Sequence, residues 1–326
     1  MVTVDIYDKE MAAEWNGFVA RSKNGTFLFD RNFMDYHAER FSDASLVFRG
    51  KRGRLCGLLP ANFHKASKTV FSHGGLTYGG LVLDHRAVQT SVNEMIALAA
   101  DFYSRTLGAQ SLVYKSTPYI YHSIPAEEDL YALYRMGASL TSRAVSSALV
   151  PSAGLRFRKD RRAGVARALR AGLSVEEVAD CCSPLFLRFH NILTESLMKR
   201  HNVTPVHSFD EMKLLTGRFP ENIRLFVVKN GDDIVSGGWV FVTSCAVHTQ
   251  YLVNTDEGRR MGAEDLLLDY LISEKYASAR YFDFGISTEN NGMYLNENLI
   301  SMKEGFGARS VCYDTYTLAL PRHSAV

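Results

Sequence analysis

Apolar and polar positions fall in short alternating blocks along the chain, and the blocks come twice. In the second half, Arg224-Leu225-Phe226-Val227-Val228 reads as a strand, and Asn230-Gly231 behind it is a strong hairpin signal. Residues 234–242 form the returning strand and 246–253 a third. A polar loop is expected over 254–262. Leu266, Leu267, Tyr270 and Leu271 then recur at helical spacing within 263–277, and 281–285 is another strand. The first half repeats the order. Strands are expected at 46–48, 55–63 and 69–73, with a turn at 50–53. A glycine-rich loop follows at 74–85, then a helix at 88–107 and a strand at 111–115.

Corresponding positions (Leu46 and Leu225, Gly57 and Gly237, Val70 and Val247, Val113 and Asp283) stay about 170–180 residues apart. Helices precede each sheet, at 8–22 and 31–40 in the first half and at 183–201 and 208–216 in the second. Ser183-Pro184 makes an N-cap with proline at the first helical position. Ser208 and Glu211 make a capping box. The pattern predicts an α+β chain of two copies of one unit, 1–150 and 151–326, joined near 151–155.

Composition changes this picture little. Of 326 residues, 46% are hydrophobic and 22% charged, with a net charge of +2, which argues against a global field for DNA. No apolar run approaches the length of a membrane span. The first residues lack a basic region followed by an apolar core, so a cytoplasmic location is expected. The five cysteines and ten histidines show no metal-ligand spacing, and no structural metal is expected.

Two helices followed by mostly antiparallel strands and a central helix resemble the GNAT acyltransferase fold. Two copies in one chain look like its FemAB-like branch. The residues that carry the resemblance are 186–201, 237–242, Gly262-Ala263, Phe282-Asp283-Phe284-Gly285 and Met302-Lys303-Glu304-Gly305-Phe306-Gly307. The resemblance implies two tandem GNAT-like domains, each a mixed, mostly antiparallel sheet flanked by helices, with the active site in the second. It implies transfer of an acyl or aminoacyl group to an amine, on a small-molecule or sugar-linked acceptor such as a cell-envelope or polysaccharide precursor. Acyl-CoA, above all acetyl-CoA, is the expected donor, and a charged tRNA is the alternative. A non-catalytic GNAT-like binding protein is a further reading.

GNAT enzymes hold the pyrophosphate of coenzyme A on a Q/R-x-x-G-x-G/A segment at a helix N-terminus. The corresponding stretch is Arg259-Arg260-Met261-Gly262-Ala263-Glu264, which makes Arg259, Arg260, Gly262 and Ala263 the donor-binding candidates. Glu264 stands where Gly or Ala is expected, and a carboxylate there would repel a pyrophosphate. By resemblance, Lys303 matches the family's functional lysine. It would point a cation into the cleft and hold an acceptor phosphate or stabilise the oxyanion. A surface salt bridge with Glu304 is the plainer alternative.

Asn290, Asn291 and Asn298 offer amides to an acceptor, or serve ordinary turns. Asp283 and Tyr251 are the acid–base candidates, with His248 on the same strand as Tyr251. No Ser-His-Asp or Cys-His set is recognisable. The run from Leu155 to Arg170 holds seven basic residues and one acid. Arg161 and Arg162 would grip an acceptor diphosphate, or the helix would simply be a solvated face. Four glycines between Gly74 and Gly80 resemble a phosphate cradle without the lysine of a P-loop.

Overall fold

The Asn230-Gly231 signal folds as a hairpin. Strand Ile223–Asn230 turns through Gly231, at φ 59°, into strand Asp233–Val242. The computed structural model describes residues 2–154 and 156–321. Leu155, at the expected joint and at the start of the basic run, therefore lies outside the described residues, as do Met1 and 322–326. Contacts divide the chain into two units. One comprises residues up to 145 with 288–294 and the chain from 312 onward, and the other 146–287 with 295–311. A cut at 150 places the returning segments 288–294 and 312 onward with the second half. Their contacts are with the first unit.

In the first unit, Thr3–Ile6, Leu46–Arg49, Leu55–Leu59 and Val82–Leu83 form an antiparallel sheet. A second sheet runs Asn62–His64, Thr69–Phe71, Ser111–Lys115 and then 312–319. The strand expected over 55–63 is thus two strands, broken at Pro60, which has no N–H to give a ladder. Helix Gln89–Leu107 buries Val92, Met95, Ile96, Ala99 and Tyr103 in a core with Leu46, Phe48, Leu112 and Tyr114. Gly108, at φ 61°, ends it.

The second unit orders its strands as 146–149, Tyr281–Ile286, Ala246–Asn254, Asp233–Val242, Ile223–Asn230 and Ser174–Val178. Only Tyr281–Ile286 with Ala246–Asn254 is parallel. Helix Ala263–Tyr270 buries Leu266, Leu267 and Leu268 against Phe226, Val240 and Phe282. Each fully buried leucine contributes about 1.5–3 kcal/mol. The expected polar loop at 254–262 is a helix for most of its length, Asp256–Met261, capped by the Thr255 hydroxyl on the Gly258 N–H.

The duplication is visible in strand pairing. In each copy the third strand pairs in parallel with the strand that follows the central helix. Thr69, Val70 and Phe71 face Ser111, Leu112 and Val113. Ala246, Val247 and His248 face Tyr281, Phe282 and Asp283. The third pair is apolar in the first copy and His248/Asp283 in the second.

Candidate active site

Parallel pairing of Ala246–Asn254 with Tyr281–Ile286 stops at His248/Asp283, although both strands run on. Just beyond, the register with Asp233–Val242 slips between Trp239 and Val240, which leaves Gln250 as a bulged residue. The last side chains paired before the two strands part are His248 and Asp283.

Asp283 is fully buried. Its Oδ2 lies 2.7 Å from His248 Nδ1. Its Oδ1 accepts from the Ser146 hydroxyl at 2.5 Å and from the Gly285 N–H at 3.2 Å. A carboxylate fixed in this way places the imidazole proton on Nδ1 and leaves the Nε2 lone pair for other work. Gly285 lies over that ring edge at φ 77°, where a Cβ would sit 3.2 Å from His248 Cε1. Glycine thus keeps the space in front of the imidazole open.

The lysine does something different from what its motif suggests. Residues 286–308 contain helix Glu297–Glu304, capped by Asn296 on the Leu299 N–H. Lys303 sits on its last turn and is 3% exposed. Its ammonium donates to Gly285 O (2.8 Å), Ile286 O (2.9 Å) and Ser287 Oγ (2.8 Å). An ammonium has three N–H bonds, and all three are used. Lys303 is therefore neither a cation aimed into a cleft nor a surface partner of Glu304. It pins the turn that carries Gly285 past His248.

Burial lowers the Lys303 pKa to about 8, against a smaller opposite effect of Asp283. Below pH 8 the lysine is charged both folded and unfolded, and folding bears the full cost of burying the cation. Between about 8 and the ordinary 10.5 the unfolded chain holds more protons, so this contribution to stability grows as pH rises. At 1.36 kcal/mol per unit the change is roughly 3 kcal/mol. Lys303→Met should lose about 2–4 kcal/mol near neutral pH, because three buried acceptors lose their donor. Urea unfolding of both proteins from pH 7 to 10.5 should show the wild-type advantage increasing with pH. A constant or shrinking gap contradicts this account of the lysine.

The other sequence candidates disperse. Tyr251 gives its hydroxyl to a 2.9 Å contact with His207 Nδ1 and stacks on Trp239 at 5.9 Å. Burial raises its pKa. Asp283 and Lys303 are joined through Gly285, but Tyr251 is not part of that set. Asn290 and Asn291 adopt positive φ, 51° and 55°, in an exposed turn of the first unit. Asn tolerates this conformation better than most residues. Asn298 is exposed on helix Glu297–Glu304. The glycines of 74–80 serve close packing. The Gly74 N–H goes to Asn62 Oδ1, and a Cβ on Gly79 would fall 1.6 Å from Ser72 O.

The 259–264 segment is more closed and more acidic than an open pyrophosphate cradle. The N–H groups of Gly258 and Arg259 go to Thr255 Oγ1 and Thr255 O, and that of Gly262 goes to Gly258 O. Helix Lys159–Arg170 crosses the start of helix Ala263–Tyr270 at Gly164. A Cβ on Gly262 would lie 2.3 Å from Gly164 O, and one on Gly164 would lie 1.8 Å from Asp265 Oδ2. Arg161 bonds Asp265 at 2.7 Å and Asp160 at 3.1 Å, and lies 5.9 Å from the Phe306 ring. Arg162 reaches Phe157 O at 3.1 Å. Two carboxylates, Glu264 and Asp265, occupy the first turn where a pyrophosphate would come.

The basic helix is accordingly a strap over this segment rather than a free grip. Arg259 bonds Asn254 O at 3.2 Å, and Arg260 is exposed. Gly262→Ala, at φ 81° and against backbone, should cost about 2–4 kcal/mol in chemical unfolding. An unchanged midpoint would contradict the crossing. Among the described residues, Asp180, Cys181 and Cys182 bring potential metal-ligand atoms within 4.8 Å of one another on a surface turn.

Residues 156–291 match the acetyltransferase (GNAT) domain family. No curated protein matches the sequence. Solved structures match along nearly the whole chain. FemX is 13% identical, covering 98% of this chain and 97% of its own, with TM-score 0.68. L-PGS from Bacillus licheniformis is 14% identical, covering 95% and 91%, with TM-score 0.60. A tandem GNAT protein from the clavulanic acid biosynthesis pathway is 13% identical, covering 99% and 100%, with TM-score 0.55. At these identities the likeness is one of fold. The α+β class with tandem GNAT-like units stands, as does the resemblance to the FemAB-like branch. Among the described residues no helix is long and apolar enough to cross a membrane.

Proposed function

From a chain whose second unit carries a GNAT acetyltransferase domain, we propose an N-acyltransferase in which His248, positioned by Asp283, is the general base. The observation that supports it is the 2.7 Å His248–Asp283 contact where the parallel strands part. The first copy has Phe71 and Val113 at the same register and offers no such pair.

The acceptor enters as an ammonium and gives one proton to His248 Nε2. Its nitrogen then attacks the acyl carbonyl carbon of an activated ester or thioester. The C–N bond forms, the C–O or C–S bond breaks, and the imidazolium returns the proton to the departing alkoxide or thiolate. The nitrogen's remaining excess proton goes to solvent. Asp283 stabilises the imidazolium while it exists. Gly285 leaves room for the reacting atoms, and Lys303 holds Gly285 in place.

The closeness of helix Lys159–Arg170 to Gly262 and the carboxylate of Glu264 favour an ester donor, such as the aminoacyl ester that a charged tRNA presents, over coenzyme A. The acceptor class implied by the FemAB-like resemblance, an amine of an envelope or polysaccharide precursor, is part of the proposal. To test it, labelled aminoacyl-tRNA and labelled acetyl-CoA would each be incubated with the protein and a panel of amine acceptors. Amide formed from the ester donor is the expected result. Amide from acetyl-CoA alone, or from neither, would overturn it.

A further inference from the structure

The turn between strand Ser174–Val178 and helix Pro184–His201 carries Asp180, Cys181 and Cys182 in succession. None of the three takes part in the acyl-transfer reading. In an extended chain, consecutive side chains point to opposite faces. Here the turn brings them together: both Sγ atoms and a carboxylate oxygen of Asp180 lie within 4.8 Å of one another.

The turn is held by its own hydrogen bonds. Asp180 Oδ1 accepts the Cys182 N–H at 2.8 Å, and Asp180 O accepts the Ser183 N–H at 3.0 Å. The other carboxylate oxygen, Oδ2, takes no hydrogen bond among the described residues. The two thiols are close enough for one to hydrogen-bond the other, and neither is in a disulfide. Cys182 is exposed and Cys181 half-buried, so an ion can reach both from solvent. Cys181 also faces helix Phe209–Arg218. A Cβ on Gly217 would lie 3.8 Å from its Sγ, and Lys213, one turn earlier on that helix, acts on it electrostatically.

Two thiolates and a carboxylate suit a dication of the zinc type. Such an ion takes sulfur at about 2.3 Å and carboxylate oxygen at about 2.0–2.2 Å in a tetrahedron, which sets the ligand atoms roughly 3.5–3.8 Å apart. From within 4.8 Å, side-chain rotations that move these atoms by about an ångström complete the set. Three anionic ligands around a dication leave one negative charge, and Lys213 offsets it. Magnesium and calcium, which take six or more oxygens, do not suit the set.

We propose that Asp180, Cys181 and Cys182 form a three-ligand site for a zinc-type thiophilic dication, with the fourth position open to solvent. Binding releases the two thiol protons to solvent, and no electrons move. The open position makes the ion exchangeable, unlike zinc in a closed four-ligand structural site. A bound ion braces the turn against helix Phe209–Arg218, which already meets helix Pro184–His201 at Phe186 and Phe209, with ring centroids 6.2 Å apart. The site lies within the second unit and stands or falls without the acyl-transfer reading.

Titration of the reduced, chelator-treated protein with cadmium, followed by sulfur-to-cadmium charge-transfer absorption in the ultraviolet, tests it. One ion per chain should bind saturably, zinc should displace it, and magnesium should not. Cys181→Ser and Cys182→Ser should each remove about half of the band and weaken binding about tenfold or more. Asp180→Asn keeps an oxygen for the Cys182 N–H but not the charge, and it should weaken binding about tenfold with the band intact. Cys312→Ser, which removes an exposed cysteine elsewhere, should bind like wild type. Saturating zinc should raise the urea midpoint of the wild type and not that of the Cys181→Ser/Cys182→Ser double variant, because the folded turn holds the ligands together. Three results would overturn the proposal: a band that survives in the double variant, an affinity indifferent to Asp180→Asn, or a wild-type midpoint that zinc leaves unchanged.

Discussion

His248→Gln should lower kcat for acyl transfer by about 10²–10⁴-fold, with the fold intact. The imidazole is the member of the dyad with exposed surface, 9% against none for Asp283. Asp283 is fully buried and cannot touch an acceptor. Glutamine preserves polarity and much of the volume but has no basic nitrogen. The fall should appear in kcat more than in KM, because the base acts as the ammonium loses its proton and not in holding it. Circular dichroism and the unfolding midpoint should remain close to wild type, since the histidine makes one hydrogen bond, to Asp283. A variant that retains the wild-type kcat would remove His248 from the mechanism.

Asp283→Asn should be nearly as damaging, for a different reason. The carboxylate takes contacts from Ser146, Gly285 and His248. An amide in its place can present N–H to Nδ1 and so favour the other imidazole tautomer, with the proton on Nε2 where the lone pair is needed. The expected loss is about 10²-fold or more in kcat with little change in KM. A purely structural role would lower stability and leave kcat close to wild type. Asp283→Glu, which keeps the charge, should recover part of the rate if the carboxylate acts through the histidine.

The hairpin at Asn230-Gly231, the capping box at Ser208 and the two-copy order were all legible, because each rests on local turn chemistry or on periodicity. Lys303 was legible as a motif but not as a contact. Lysine reads as a surface residue, and helix Glu297–Glu304 is too short and too polar to show its period. His248 and Asp283 are 35 residues apart. Only the register of two parallel strands joins them, and that register is set by helix Ala263–Tyr270 packing between them in sequence. One signal was present and not read. Gly164 stands in the middle of a basic helix, where a glycine costs about 1 kcal/mol and usually marks a close approach. The close approach is the crossing with Gly262, which turns an expected pyrophosphate cradle into a joint between helices. Glu264 alone hinted at this outcome.

The central claim is that the His248–Asp283 pair removes the acceptor's proton. Single-turnover acyl transfer by His248→Gln, with an acceptor that arrives as an ammonium and with a weakly basic amine that arrives unprotonated, tests it most directly. The variant should be slow with the first and recover much of the wild-type rate with the second, which has no ammonium proton to give up before attack. An equal loss with both acceptors would contradict the account, because His248 would then not be acting on the ammonium proton.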